Sequence, residues 1–397
     1  MRLIHTSDWH LGRTLHGADL LAYQAAFLDW LLAESVRQDI DAVVVAGDIY
    51  DRAVPPPDAV TVLDRALRGF AGARIPVLLT SGNHDSAIRL GFGSSLTELA
   101  GIHFRTSLAD LARPIVLADS HGEVAIYGIP YLLPDAVADD LHADRSHGSV
   151  LAAAADLIRA DASARGIGRV VVAAHAFVTG ASTSDSERDI RVGGIGDTPA
   201  SAFAGLSYVA LGHLHGQQNV VAPDDRSHLR YSGSPLAFSF SERHQHKSVT
   251  LAEIDSAGAV TTTLLPAPVP RKLRQVSGKL DDLLATDDPD LAGAWVKVVL
   301  TDTVRPAAPM ERLRERWPHT LVVDFVPEGE PVSAEADLRR VARIADPVEI
   351  CAMFVEFTSG GRPDAEQQAV LADVISAVRS AEDGALDAAG TRAAAAA

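Results

Sequence analysis

The segment YVALGHLHG (208–216) ends an apolar run on a glycine and follows it at once with His213 and His215, spaced i, i+2. Residues two apart on an extended backbone point to the same side, so the two imidazoles can face one target. Two surface histidines in a turn is the competing reading of this stretch alone. Other apolar runs end in the same way. LIHTSDWH supplies Asp8 and His10, AVVVAGDIYD supplies Asp48 with Asp51 beyond it, PVLLTSGNHD supplies Asn83, His84 and Asp85, and VVVAAH supplies His175. Asp, His and Asn without a thiolate disfavour structural zinc and suit Mn²⁺, Fe or Zn in catalytic use. The set is large enough for two cations, each with an open position. Such a pair, about 3.5–4 Å apart, can hold a hydroxide and a phosphoryl oxygen for in-line displacement. One carboxylate must bridge them, and Asp48, in the middle of the set, is the candidate. His84 is then a histidine outside the ligand set, able to protonate a departing alkoxide.

Taken singly, the pieces differ in weight. D-x-H is weak, and a lone His175 at a strand end reads more often as a satisfied structural histidine. G-N-H-D is stronger, because Asn-His-Asp after a buried strand makes little sense as packing, although an Asx turn accounts for it too. His5, inside the first run, is left as a core or supporting residue. RVGGIGD (191–197) superficially resembles a phosphate cradle, but no clean strand precedes it and it reads as a flexible loop. The specific signal is the ordered set: D-x-H, G-D, G-N-H-D, H, G-H-x-H.

These residues need a scaffold that gathers strand ends. Up to about residue 265, short β-branched runs alternate with helix-like segments such as AYQAAFLDWLLAESVRQ and PPDAVTVLDRALRGFAG, the pattern of an α/β core. In the second segment the prolines and Asp58 suit a helix start and Gly72 a stop. In open α/β sheets, ligands collect outside the carboxyl ends of the strands. Gly47, Gly82 and Gly212 would let the chain turn sharply there. HLRYSGSP, SVTLAEID and VTTTLLP carry no helices between them and are expected to finish the sheet with antiparallel strands. LLPAPVPRK (264–272) reads as a linker. Beyond it, three strand-like runs around PMERLRERW suggest a small second α/β domain. Ile350, Met353, Phe354 and Phe357, then Leu371, Val374, Ile375 and Val378, recur at i, i+3, i+4, i+7 about a Gly-Gly turn, which predicts a helical hairpin with two apolar stripes.

The net charge of −17 argues against a protein that coats DNA unaided, since non-specific affinity comes from Lys and Arg neutralising phosphates. A phosphate ester remains a fitting substrate if bound cations supply positive charge locally or a partner grips the DNA. Cys351 is the single cysteine, so no disulfide framework exists and a reducing, cytoplasmic setting is expected. The first residues lack a signal-peptide pattern, and no apolar run approaches membrane-spanning length.

Across roughly residues 1–250 the chain resembles the calcineurin-like metallophosphoesterase superfamily, and within it the SbcD-type DNA double-strand-break nucleases. The resemblance rests on HTSDWHLGR, AGDIYDRAVPP, SGNHDS, SDSERDIRVGG, VALGHLHGQQ and RYSGSPLAFSFSE. It implies an α/β fold: a metallophosphoesterase core of two packed β-sheets flanked by helices (1–265), a small α/β capping domain (271–330) and a helical partner-docking hairpin (335–382). The low-complexity end AAGTRAAAAA reads by itself as part of a disordered tail (383–397). Carried onto this sequence, it implies that Asp8, His10, Asp48 and His215 hold one Mn²⁺, that Asp48, Asn83, His175 and His213 hold the other, and that His84 acts on the leaving group. Asp51 and Asp85 are candidates to orient His84 or a ligand histidine. The cap would help position DNA. The stripes Ile350–Phe357 and Leu371–Val378 would dock on an ABC-type ATPase with coiled coils, the SbcC subunit, with packing on the chain's own domain as the alternative. The expected activity is 3′→5′ exonuclease on duplex ends and endonuclease on hairpins or blocked ends, from a homodimer within a heterotetramer. Two other readings stand beside it: a stand-alone metallophosphoesterase for small phosphodiesters or cyclic nucleotides, and a non-catalytic DNA-end-binding subunit with structural metals.

Overall fold

The run AVVVA explains the architecture. Every residue of strand β4 (Ala42–Ala46) is buried, and alternation divides them. Val43 and Val45 join a core with Phe27, Leu28 and Leu31 of helix α1 (Leu21–Arg37) and Leu63, Ala66 and Phe70 of helix α2 (Pro57–Ala73). Ala42, Val44 and Ala46 face the other way, into a cluster with Val171, Ala173, Tyr208 and Ala210. A strand buried on both faces lies between a helical layer and a second sheet. The chain is described by a computed structural model over residues 1–187, 198–328, 346–359 and 361–378. It divides into two units, Met1–Leu273 and Arg274 onward.

In the first unit, β1 (Arg2–Thr6), β4, β5 (Val77–Thr80) and β6 (Ile102–Arg105) run parallel, and β13 (Ser248–Ile254) and β14 (Val260–Pro266) close one edge antiparallel, in the order β14-β13-β1-β4-β5-β6. The second sheet contains β7 (Ile115–Asp119), β8 (Gly122–Ile129), β9 (Val170–His175), β10 (Tyr208–Gly212), β11 (Gln218–Val220) and β12 (His228–Tyr231), in the order β11-β12-β10-β9-β8-β7. A short ribbon of β2 (Thr14–Leu15) and β3 (Ala18–Asp19) follows β1. The outer face of the second sheet packs on the His147–Arg165 helix through Val150, Leu151, Ala154 and Ile158.

Alternation also aims the site residues. In β9, Val171 and Ala173 face the seam between the sheets, so His175 on the same parity does too. In β10, Tyr208 and Ala210 put Gly212 in the seam. There a Cβ would lie 1.7 Å from the Ala46 carbonyl oxygen and 3.0 Å from His175 Nδ1. No small shift relieves a clash with backbone, so Gly212→Ala is expected to cost more than the ~1–3 kcal/mol of ordinary overpacking. Urea denaturation of the variant, or its failure to accumulate as folded protein, checks this.

Three expectations are revised. HLRY (β12) pairs parallel to β10 rather than antiparallel, because β11 supplies the antiparallel return. Residues 264–266 are strand rather than linker: Ser248 to Ile254 pairs along all of β14 to Pro266, and Ala267 N–H donates to the Lys247 carbonyl. A proline fits because β14 is an edge strand. Helix α2 does not stop at Gly72; Arg74, with φ 58°, closes it.

The second unit has a three-stranded sheet, β15 (Leu273–Gly278), β16 (Trp295–Leu300) and β17 (Thr320–Phe325). Its core joins Val296, Val298 and Leu300 to Leu280 and Leu283 of the Leu280–Ala285 helix and to Leu313 of the Pro309–Arg316 helix. A helix at Pro347–Ser359 precedes another at 365–378. Arg362, in the turn, bonds Glu349 (2.6 Å) and Glu356 (3.1 Å). Among the described residues, no helix is long and apolar enough to cross a membrane. Residues 191–197, 335–345 and 379–397 lie outside the described residues, and with them the phosphate-cradle look-alike, part of the expected hairpin segment and the expected tail.

Candidate metal centre

Parallel strands of both sheets end at the seam, and their loops are stitched together by backbone bonds. Asp8 N–H donates to the Gly47 carbonyl (3.1 Å), His10 N–H to Asp48 (2.9 Å) and Leu11 N–H to Ile49 (2.9 Å). Asp8 (φ 54°), His10 (φ 45°), Asp48 (φ 49°) and His213 (φ 103°) all sit in left-handed backbone. Such strain in non-glycine residues persists only where the surroundings over-determine it. One determinant is Gln24, buried on α1: its Nε2 donates to the Trp9 (3.1 Å) and His10 (2.7 Å) carbonyls while its Oε1 accepts from Gly12 N–H (3.0 Å).

The loops bring together Asp8, His10 and His215; Asp8, Asp48 and His175; and His10, Asp48 and His84, all buried, with the potential ligand atoms of each trio within 4.8 Å of one another. Asp48 is central. Its Oδ2 lies 3.6 Å from His10 Nε2, 3.5 Å from His175 Nε2 and 4.0 Å from His84 Nε2, and its Oδ1 accepts His84 N–H at 2.9 Å. Asn83 Oδ1 is 2.9 Å from His175 Nε2. His213 gives its backbone N–H to Asp8 (3.0 Å) and stands edge-on to the His175 ring at 5.4 Å.

The donor chemistry fits cations. His175 Nδ1 donates to the Ala46 carbonyl (3.0 Å), so its Nε2 lone pair faces the Asn83 oxygen, another acceptor. His10 Nε2 and His215 Nε2 approach to 3.1 Å, and buried His10 Nδ1 has no hydrogen-bond partner among the described residues. Burial holds His10 and His175 neutral, with pKa values below the usual imidazole range, the form that ligates metal. Burial, then the Asp48 charge, raises Asp8 well above the usual carboxylate range and takes Asp85 up to about 7. A carboxyl raised on folding makes ionisation a burden on the native state. These two carboxyls therefore withdraw stability from the metal-free fold as pH climbs from about 4 through 7, while the neutral buried His5, His10 and His175 add stability up to about 6.5. Mn²⁺, which needs ionised carboxyls and neutral imidazoles, is expected to raise the melting temperature more at pH 7.5 than at pH 5; thermal melts with chelator and with Mn²⁺ check this.

The two supporting carboxylates work through other groups. Asp51 reaches His84 with its backbone carbonyl, which accepts from Nδ1 at 2.8 Å. Its Oδ1 stands 3.7 Å from both His10 Nδ1 and Arg13 Nη1, a span suited to a bridging water. Among the described residues Asp85 bonds no histidine; its oxygens accept the N–H groups of Ile49 (3.0 Å), Tyr50 (2.9 Å) and Gly82 (2.9 Å), fastening two loops together. His5 is a core residue, bonded to Tyr208 OH (2.9 Å) and the Leu211 carbonyl (3.1 Å), its pKa lowered by burial to about 3.

Sequence reasoning assigned no role to Gln24, Ser186, Glu187, Glu242 or Lys247. Ser186, Glu187 and Glu242 lie inside two segments already singled out, SDSERDIRVGG and RYSGSPLAFSFSE. That was the available signal. Away from the centre, the Ile350–Phe357 stripe is not one exposed face: Met353 is buried, Ile350 half-buried and Phe354 exposed. The Phe357 side chain lies outside the described residues. In the following helix Leu371 and Ile375 are half-buried, and Val374 and Val378 exposed along with Val370.

Residues 1–217 match the calcineurin-like phosphoesterase family, and residues 269–357 match the SbcD-type C-terminal domain, described as the type 5 capsule protein repressor C-terminal domain. Among solved structures, a dimetal phosphatase from Danio rerio is similar at 12% identity over 67% of this chain and 96% of that one, with a TM-score of 0.42. The protein TT1561 of Thermus thermophilus matches at 13% identity over 66% and 98%, TM-score 0.39. The calcineurin-like phosphoesterase YfkN from Bacillus subtilis matches at 12% over 67% and 90%, TM-score 0.37. The family match spans more than half of the sequence, so this chain belongs to the calcineurin-like phosphoesterases, a metal-dependent phosphoesterase with the C-terminal domain of SbcD-type nuclease subunits.

Proposed function

We propose that the chain is a Mn²⁺-dependent DNA nuclease, a 3′→5′ exonuclease on duplex ends and an endonuclease on hairpins or blocked ends. The observation that carries this reading is one buried cluster of Asp8, His10, Asp48, His84, His175 and His215 in a chain that also has an SbcD-type C-terminal domain. Asp8, His10, Asp48 and His215 would hold one cation, and Asp48, Asn83, His175 and His213 the other. The cations would supply Lewis acidity and a nucleophile at neutral pH. His84 lies beside that ligand set. Because the Asp51 carbonyl can only accept, Nδ1 keeps its proton, and in the doubly protonated ring Nε2 would give the second proton to the departing 3′ oxygen, leaving neutral imidazole. The buried Phe238 ring stands 5.2 Å from His10 and 5.4 Å from His215.

The assembly we propose is a homodimer bound to an SbcC-type ABC ATPase in the cytoplasm, with the small domain helping to position DNA. Exposed Phe354, Val374 and Val378 support ATPase docking. The dimer reading draws on Ile88, Phe92, Leu96 and Leu99, which are 89%, 88%, 71% and 88% exposed. A patch of this kind marks an interaction site, and its apolar character suits a self-complementary protein contact better than DNA phosphates. The test is digestion of end-labelled duplex, hairpin-ended duplex and a chromogenic phosphodiester by the metal-stripped chain with Mn²⁺ or Mg²⁺, alone and with the ATPase. Mn²⁺-restored shortening from 3′ ends supports the reading. Cleavage of the small diester alone, even with the ATPase present, overturns it.

A further inference from the structure

His215 is gripped at every polar position but one. Its backbone N–H donates to Glu187 Oε1 at 2.8 Å and its carbonyl accepts from Lys247 Nζ at 3.0 Å. Its Nδ1 lies 2.6 Å from Ser186 Oγ and 3.3 Å from Glu242 Oε1. Only Nε2 is left, and it faces the cluster.

The direction of each proton follows from what the partners can do. Lys247 donates to Glu242 Oε2 at 2.5 Å. Glu242 Oε1, a pure acceptor, takes the Phe238 N–H (3.2 Å) and the Ser186 hydroxyl. The one hydroxyl proton of Ser186 is thereby committed, so toward His215 its oxygen accepts. His215 Nδ1 must carry the proton, and the Nε2 lone pair points at the centre. Glu242 and Lys247 have side-chain exposures of 0% and 3%, a depth at which an ion pair contributes little net stability. A role in packing alone gives such a pair no reason to stay.

We infer that Glu242, anchored by Lys247 and linked through Ser186, is a positioning residue that locks His215 in the tautomer whose Nε2 lone pair faces the metal centre. A carboxylate behind a metal-binding histidine fixes its tautomer and ring orientation. Ser186 and Glu187 bring the loop after β9 into the same clamp, and Arg13 Nη2 fastens that loop by donating to the Ser186 carbonyl at 2.9 Å. The inference rests on His215 being a ligand, and needs no assumption about which phosphodiester is cleaved.

The experiment titrates Mn²⁺ alone into the metal-stripped full chain and two double variants. Glu242→Leu/Lys247→Met removes the acceptor and replaces the ion pair with apolar groups, so no charge is left buried. Glu242→Gln/Lys247→Met is equally neutral but keeps an amide oxygen where Oε1 stood. The Leu variant is expected to lose roughly 10–100-fold in affinity at one of two sites, while the Gln variant stays near wild type. Wild-type affinity in the Leu variant, equal losses in both, or no Mn²⁺ binding by the wild type would each overturn the inference. If the double variants do not fold, ¹⁵N resonances of the His215 ring in the wild-type chain decide: a protonated Nδ1 supports the clamp and an unprotonated one refutes it. A chain that binds Mn²⁺ in the expected pattern yet cuts no DNA keeps this inference and loses only the nuclease reading.

Discussion

Asp48→Asn is expected to abolish Mn²⁺-dependent phosphodiester hydrolysis, by ~10³-fold or more, and at the same time to stabilise the metal-free chain. The first effect follows from position. Asp48 Oδ2 lies within 4.0 Å of His10, His84 and His175, and His10 and His175 belong one to each proposed ligand set, so Asp48 is placed to bridge two cations. Loss of two-cation catalysis forfeits several kcal/mol of transition-state stabilisation. The second effect follows from charge. Burial first, and the Asp48 carboxylate after it, raise the pKa values of Asp8 and Asp85, so Asn relieves a repulsion the native chain carries for function. Asn also keeps an oxygen to accept His84 N–H, so the loop holds its place. Activity assays, with melts in chelator and in Mn²⁺, check both halves: the variant should melt higher than wild type in chelator and gain less from Mn²⁺ than wild type does.

If the chain cuts DNA as proposed, His84→Gln is expected to lower kcat on DNA by about 10²–10⁴-fold, the usual contribution of a general acid, while Mn²⁺ affinity stays near wild type. His84 Nδ1 is committed to the Asp51 carbonyl at 2.8 Å, which aims Nε2 into the cluster. A leaving group that departs without a proton should escape most of this loss. The ratio of variant to wild-type kcat on a nitrophenyl diester should therefore lie well above the ratio on DNA. Equal ratios would assign His84 to metal binding or folding instead.

Much of the centre was legible in the sequence because the chemistry sits where buried strands stop. Asp8, Asp48, Asn83, His175 and His213 each follow an apolar run, and alternation within VVVAAH already puts His175 on the parity of Val171 and Ala173. What supports them was not legible. Ser186 and Glu242 bond across 56 residues and two segments of different origin, and nothing local in either marks the partnership. Gln24 looks like any polar residue of an amphipathic helix until the Trp9–Gly12 turn folds back over it. Asp85 stands next to His84 in the sequence, yet its carboxylate binds backbone N–H groups of a different loop. The strand through Pro266 was hidden by proline composition, which signals a linker in isolation but is tolerated on the outer edge of a sheet.

The most direct measurement is a count of Mn²⁺ ions bound per metal-stripped chain, wild type beside Asp48→Asn, by equilibrium dialysis near neutral pH. A centre bridged by Asp48 binds two ions in the wild type and fewer than two in the variant. One ion or none in the wild type, or two in both, would contradict the two-cation account.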